Sequence, residues 1–327
     1  MDLDVDTVRV ARSRADCVLR PGETFLGGGT YLYSEPVPPG VTGLVDLTGL
    51  GWEPWSVDGS GLRVAGTCTL EELLAGPGGL GVPGPYRALG IVAPCVAALT
   101  LSAKVARTAT VGGNLALGLP AGSMAGLFAA LAARAVVWTP DGGTREVPVA
   151  DLVTGAGVVA LSRGEVLREV LVPEAVLRQR TAVRRASLTP TGRTAAMVTG
   201  RAGEDGAWLT LTGSVARPLG RAVRDHEALD RWIDAIDASG PLDASPLDAS
   251  GPLGASGPLG ASGPLGASGP LGASDAIGAS GAIGAIGASG PGGAGGWYED
   301  THGSRAWRAA MTRRLAHEVL DDLGDPT

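Results

Sequence analysis

The sequence predicts an α+β chain: two small α/β units, then a third unit made of a small sheet with helices. Three observations carry that prediction. Two glycine-rich turns, Leu26-Gly27-Gly28-Gly29-Thr30-Tyr31-Leu32 and Ala109-Thr110-Val111-Gly112-Gly113-Asn114-Leu115, lie about eighty residues apart, each after a short apolar or β-branched run. Up to about residue 174, short strand patterns alternate with helical stretches. From Ala175 the pattern changes to paired strands followed by amphipathic helices. The organisation read from this is 1–60, 61–174 and 175–327, the last interrupted by a low-complexity insert at 237–296.

Each element has a local reason. Val8 to Val18 is a short mixed segment, and Glu23 to Leu26 is a strand feeding the first glycine turn. Val41 to Leu47 (VTGLVDL) reads as a second strand, punctuated by Gly and Pro on both sides. Leu62 to Gly66 alternates as a strand. Thr69-Leu70-Glu71-Glu72 is a capped helix start, with Glu three residues after Thr. Val92 to Val105 is apolar at helical spacing. Met124 to Ala133 is a buried helix, Ala135 to Trp138 a strand, Asp141-Gly142-Gly143 a hairpin turn and Thr144 to Val149 its return. Glu165 to Val172 closes the second unit against Pro173. In the third unit, Thr194 to Thr199 pairs with Ala207 to Val215 across Gly203-Glu204-Asp205-Gly206. His226 to Ile236 and Arg305 to Leu323 are amphipathic helices.

The insert separates those two helices. Ser250-Gly251-Pro252-Leu253-Gly254-Ala255 recurs as a six-residue unit, restarting at Ser256, Ser262 and Ser268. Each clean unit carries Pro, two Gly and one apolar side chain beyond Ala, too little burial to offset the entropy of ordering. It reads as a flexible insert, with a small solenoid as the alternative.

The 327 residues, 44 % hydrophobic and 18 % charged, can bury a sizeable core in two or more domains. A net charge of −7 speaks against nucleic acid and against an anionic membrane surface. The acidic start, Met1 to Asp6, has no apolar h-region, so no secretory signal is expected. Thr108 to Ala133 carries no charge, but its glycines, Pro120 and Asn114 mark a buried loop and helix, not a membrane span. Cys17, Cys68 and Cys95 are odd in number, widely spaced and form no C-x-x-C pair. They read as reduced core thiols of a cytoplasmic protein, not as a disulfide framework, zinc site or iron–sulfur cluster.

The glycine turns carry the chemistry. Without a Cβ, successive backbone N–H groups converge and the chain can approach a ligand closely. Two such turns can hold a diphosphate without a lysine, and together they imply a bound dinucleotide. Either alone reads equally as a tight turn or a helix-entry turn. GGGTYL is not G-x-G-x-x-G, so a Rossmann unit is not supported. Arg184 and Arg185 read on their own as solvated or salt-bridged. Arg305, Arg308, Arg313 and Arg314 read as a wet helix face, and His226, His302 and His317 as scattered surface residues.

Five stretches together resemble the FAD-binding (medium) subunit of molybdenum hydroxylases, the flavoprotein of the xanthine dehydrogenase and carbon monoxide dehydrogenase families. They are GGGTYL (27–32), ATVGGNLALGLPAGS (109–123), GEVLREVLVP (164–173), VRRASLTPTGRTAAMVTG (183–200) with TLTGSVARPL (210–219), and the closing EDTHGSRAWRAAMTRRLAHEVL (299–320). The resemblance spans nearly the whole chain outside the repeat tract. It implies a PCMH/vanillyl-alcohol-oxidase-type FAD-binding fold of two α/β subdomains plus a C-terminal small-sheet-and-helix domain.

By the same resemblance, Gly27, Gly28, Gly29, Thr30, Tyr31 and Leu32 surround the FAD pyrophosphate. Thr110, Val111, Gly112, Gly113 and Asn114 complete the cradle. Ser123 stands where the family has an Asp that bonds FAD hydroxyls. Leu167 matches a position whose backbone meets the flavin or adenine portion. Arg184 stands where a Lys approaches the flavin and would favour negative charge on the reduced ring. Thr100 stands where some members place an aromatic near the flavin.

The implied function is electron transfer through FAD. Electrons come from [2Fe–2S] clusters on a small partner subunit, after hydroxylation at a molybdopterin centre on a large partner subunit. They leave to NAD⁺, a quinone or oxygen. No catalytic acid or base and no metal ligand is expected in this chain. Two alternatives stay open: a degenerate, flavin-free scaffold that docks the other subunits, and a stand-alone flavin oxidase or reductase of the same fold. The C-terminal motifs weigh against the second.

Overall fold

The computed structural model describes residues 5–76, 86–203, 206–239 and 296–324. The first unit is a parallel three-stranded sheet, β1 (Thr7–Val10), β2 (Glu23–Leu26) and β3 (Gly43–Asp46), in the order β1-β3-β2. Leu44 and Val45 of the central strand are fully buried. Glu23 is also buried, and its carboxylate accepts from Arg9 Nε and Nη2, both at 2.8 Å, and from the Arg20 amide at 2.7 Å. This pairing locks the strand that leads into the first glycine turn.

The second unit opens with β4 (Trp55–Asp58) and β5 (Gly61–Ala65), a hairpin spanning residue 60. Helices α1 (Leu70–Ala75), α2 (Val92–Ala97), α3 (Ala103–Ala106), α4 (Val111–Leu117) and α5 (Ser123–Ala130) follow. The capping box is formed as the sequence implies: Thr69 Oγ1 accepts from the Glu72 amide and Glu72 accepts from the Thr69 amide at 2.8 Å. Val92 to Val105, which the spacing reads as one helix, is instead two. Thr100 adopts φ +53°, a left-handed conformation unusual for a β-branched residue, and Ser102 then caps α3 by accepting from the Val105 amide.

The unit continues with β6 (Arg134–Trp138), β7 (Thr144–Pro148), α6 (Val149–Leu152), β8 (Val153–Gly155), β9 (Val158–Val159), β10 (Val166–Pro173) and α7 (Glu174–Leu177). Its antiparallel sheet runs β4-β5-β10-β6-β7. The β6–β7 turn falls at Asp141-Gly142-Gly143, where Gly142 takes φ +89°. The largest apolar core lies between this sheet and α1, α2, α4 and α5.

The third unit is an antiparallel sheet in chain order, β11 (Thr181–Ala186), β12 (Ala196–Gly203), β13 (Gly206–Thr212) and β14 (Leu219–Val223). Helices α8 (His226–Ala238) and α9 (Arg305–Gly324) complete it. α9 packs on one face of the sheet, where a Cβ at Gly200 would meet Val319 and Leu323 at 2.8 Å. α5 packs on the other face. All eight of its residues are buried, as an all-round apolar helix requires. The Thr199 hydroxyl donates to Gly126 O, and Arg201 donates to Ala130 O at 2.8 Å. These bonds fasten the third unit to the second.

Two expectations for this unit are overturned. Arg308 is not on a wet face: it is 1 % exposed, and its guanidinium donates to Gly303 O, Gly213 O and the Asp300 carboxylate. The pattern of the sequence could not show that a loop folds back over this helix position. His226 and His317 are not scattered either. Their rings stack at 4.6 Å between α8 and α9, flanked by Asp321 and Asp230. The insert read at 237–296 begins later than that, since Asp237 and Ala238 still belong to α8; residues 240–295 lie outside the described residues, as do residues 204–205.

Candidate functional site

A cavity of about 350 Å³ is lined by residues of all three units. β2 delivers the first glycine turn to its wall. The turn bends at Gly29, at φ +72°, and closes with Tyr33 N donating to Gly29 O at 2.9 Å and Ser34 N to Tyr31 O at 2.9 Å. The N–H groups of Gly27, Gly28, Gly29, Thr30 and Leu32 find no acceptor among the described residues. All five residues line the cavity. Unpaired backbone donors are rare in folded proteins, and a run of them around one turn is an anion-binding nest.

The second glycine turn is built differently. Its amides are satisfied within the protein: Val111 N on Cys68 O and Gly112 N on Gly66 O at 2.8 Å, and Gly113 N on Thr110 Oγ1 and Asn114 N on Thr110 O at 3.0 Å. The expectation that both turns offer free amides therefore holds for the first turn alone. Glycine is needed in both turns for close packing. A Cβ at Gly28 would overlap the Thr108 carbonyl oxygen, one at Gly27 would meet Thr110 Oγ1 at 2.9 Å, and one at Gly112 would meet Gly66 O at 2.5 Å. The two turns thus lie backbone against backbone. Only Gly113 is open, with Thr110 Oγ1 at 3.0 Å as its one near neighbour.

Asn114 also lines the cavity. Its Oδ1 is buried without a hydrogen-bond partner among the described residues, an acceptor that a ligand hydroxyl could satisfy. Leu167 lines the cavity from β10, where the pairing with β6 slips between Leu167 and Glu169. Such a bulge re-aims the chain locally.

Three other sequence-derived residues are not brought to the cavity. Val111 is fully buried behind it. Ser123 is buried, and its hydroxyl donates to Cys95 O at 2.5 Å. Arg184 points to α9, with Nη2 2.5 Å from Asp322 and Nε 3.6 Å from Glu318.

Two apolar walls flank the nest. One is Leu19, Phe25, Leu47 and Trp52, packed with Val166. The Trp52 ring is held edge-on to Trp138 at 5.2 Å with the Arg168 guanidinium 4.2 Å from its centroid. The other wall is Leu99 and Leu101, either side of the left-handed Thr100.

Among the described residues that line the cavity, only Glu165 and Arg193 carry charge. Burial pushes the Glu165 carboxyl up, but the forked Arg145 guanidinium at 2.6–2.7 Å and the Ser162 amide outweigh it and hold the group below its usual range. Burial pushes the Tyr31 phenol up, with Glu35 adding to the rise and Arg193 opposing it. Trp52, Phe25, Gly66 and Arg193 had no sequence signal of their own as site residues, because each reaches the cavity from a different part of the chain.

The arrangement suits a ligand with an anionic middle, hydroxyl groups and aromatic ends. Residues 11–175, about half of the chain, match the family described as the FAD binding domain in molybdopterin dehydrogenase. No curated protein sequence matches the chain. Among solved structures, CO dehydrogenase from Oligotropha carboxidovorans is similar with a TM-score of 0.61 at 22 % identity, covering 72 % of this chain and 88 % of that chain. CO dehydrogenase from Hydrogenophaga pseudoflava gives a TM-score of 0.61 at 19 % identity with the same coverage. Quinoline 2-oxidoreductase from Pseudomonas putida 86 gives 0.64 at 17 % identity over 99 % of both chains. At these identities the likeness to solved structures speaks for the fold.

Proposed function

The chain belongs to the family of FAD-binding domains of the molybdopterin dehydrogenases, with FAD as its cofactor, and on that premise we propose that it is the flavin-bearing electron-transfer subunit of a molybdenum hydroxylase. One observation carries this reading above all: Gly27, Gly28, Gly29, Thr30 and Leu32 line one cavity, and their backbone N–H groups have no acceptor among the described residues. FAD, when bound, supplies the redox chemistry. Everything else is holding and shielding by this chain.

The first turn grips the diphosphate through its amides, and Tyr31 covers it from the same turn. Thr110 Oγ1, which accepts from Gly113 N, keeps its own proton free to donate. Asn114 Oδ1 accepts from a ribityl or ribose hydroxyl. Gly112 and Gly113 keep that wall thin, and Leu167 borders the ligand from β10. The Trp52 wall and the Leu99–Leu101 wall take the two aromatic ends and exclude water.

The partners proposed are a molybdopterin-binding large subunit and a [2Fe–2S] small subunit, with NAD⁺, a quinone or oxygen as acceptor. Among the described residues no group of three His, Cys, Asp or Glu could hold a metal, and Cys17, Cys68 and Cys95 are buried apart. Cluster ligands would therefore come from another chain. Also among the described residues, no helix is long and apolar enough to cross a membrane.

The test is to titrate the purified chain with FAD and follow its visible absorption and flavin content. One FAD per chain is expected, with no turnover of organic substrate until partner subunits are added. A colourless protein that takes up no FAD yet assembles with those subunits overturns the reading in favour of a scaffold.

A further inference from the structure

Of the two charges on the cavity wall, one is already neutralised. Glu165 is only 7 % exposed in its side chain and is held by Arg145 through two bonds. Arg193 has no ion pair or hydrogen bond among the described residues. Among the described residues the cavity therefore holds one positive side chain without an ion pair. That charge sits at a defined place. Arg193 belongs to the loop between β11 and β12, and its neighbour Thr194 donates to Ala98 O at 2.8 Å. Arg185 also donates to Ala98 O, at 3.1 Å. One bond from the Arg193 loop and one from β11 thus tie this edge to the segment carrying Leu99 and Leu101.

Arg193 acts on the Tyr31 phenol of the first turn, and beside the Leu99–Leu101 wall it also suits a flat ring whose charge changes. The diphosphate's charge is already matched by the amides of the first turn. The oxidised flavin ring is neutral, and its reduction by two electrons and one proton leaves a single negative charge. The electrons come from the partner's iron–sulfur clusters in the function proposed above.

We propose that Arg193 is the counter-cation of the reduced flavin, taking the role that the family resemblance placed on Arg184. It stabilises the ring's negative form and so raises the potential at which this chain accepts electrons. This rests on FAD occupying the cavity as proposed above. Arg193 is a positioning charge that takes no proton and breaks no bond.

The experiment compares the full chain reconstituted with FAD to Arg193→Gln, Arg193→Lys and Gly113→Val. The readouts are the dissociation constant for oxidised FAD and the midpoint potential of the bound flavin. Arg193 is exposed and makes no internal bond, so the fold is expected to survive. Arg193→Gln should bind oxidised FAD as tightly as the parent. Its preference for reduced over oxidised flavin should fall about tenfold, a drop of about 30 mV for a two-electron couple. Arg193→Lys should keep most of the parent potential, because the effect is one of charge.

An Arg193→Gln chain with unchanged potential overturns the inference. So does one that loses oxidised FAD, since the cation would then serve the diphosphate, and so does a lysine variant indistinguishable from glutamine. A Gly113→Val chain that keeps FAD at parental affinity points to a different fault, the placement of the cofactor itself. The two failures are therefore distinguishable.

Discussion

The indole N–H of Trp297 donates to the carboxylate of Asp237, sixty residues earlier in the chain. Trp297 also bridges to Val215 of the third unit, and its side chain is 7 % exposed. The two flanks of the repeat tract are thus fastened to each other and to the same sheet, whatever lies between them.

A chain lacking residues 240–295, with a short linker joining α8 to Gly296, is therefore expected to fold and to hold flavin as the full chain does. Closure entropy changes only slowly with loop length. Trp297→Ala in the full chain should instead lower stability by about 3 kcal/mol, the usual loss for a buried tryptophan. Thermal unfolding and flavin content check both, and insoluble or flavin-free deletion protein would refute the first.

Two glycines separate folding from binding. Gly28→Ala sets a methyl onto the Thr108 carbonyl and must force the turns apart, so a large drop in melting temperature is expected along with loss of flavin. Gly113→Val meets only Thr110 Oγ1 and otherwise projects into the cavity. It should leave the melting temperature of the flavin-free chain nearly unchanged and weaken FAD binding by about a hundredfold, roughly 3 kcal/mol. Equal melting temperatures for the two variants would contradict this division.

The orphaned Asn114 Oδ1 gives an opposite pair of effects. Removing an unpaired buried acceptor is neutral or stabilising in the empty protein. Asn114→Ala is therefore expected to unfold no earlier than the parent without FAD, yet to bind FAD about tenfold more weakly, a loss of about 1.4 kcal/mol. Calorimetry with and without FAD reads both, and unaltered affinity would take Asn114 out of the site.

The Arg9–Glu23 pair sets an acid limit. Arg9 hydrogen bonds draw the Glu23 carboxyl down from 4.5 to about 2, against the opposing effect of burial, with the Arg20 amide assisting. A depressed carboxyl stabilises the fold fully above its unfolded value and loses that contribution as pH falls from about 4.5 towards 2. After solvent screening the pair is worth about 2 kcal/mol. Denaturant midpoints measured across this window should fall less steeply in Glu23→Gln, which starts from a lower stability. Parallel slopes would show that Glu23 is not responsible.

Local patterns were sufficient for much of this molecule. Strand alternation marked β2, β3, β5 and β6, and a Thr-x-x-Glu box marked α1. The two glycine turns were legible because backbone that must approach closely cannot carry a Cβ, a constraint written in residue type. The same logic failed between Val92 and Val105, where apolar spacing suited one helix but Thr100 breaks it at φ +53°. No local pattern announces that break: Thr100 is itself exposed, and only its neighbours Leu99 and Leu101 line the cavity.

Which amides stay free was a matter of distant partners. Both turns looked alike as strings, yet Cys68 O, Gly66 O and Thr110 occupy the second turn's donors, while among the described residues none takes the amides of Gly27, Gly28, Gly29, Thr30 or Leu32. Charge placement followed the same rule. Arg184 and Arg193 are both arginines of one segment, but strand pairing turns Arg184 to the acidic side of α9 and leaves Arg193 on the loop that meets the cavity. Residue chemistry specifies what a side chain can do. Long-range packing selects which of several equivalent groups is left without a partner, and only an unpaired group is available to a ligand.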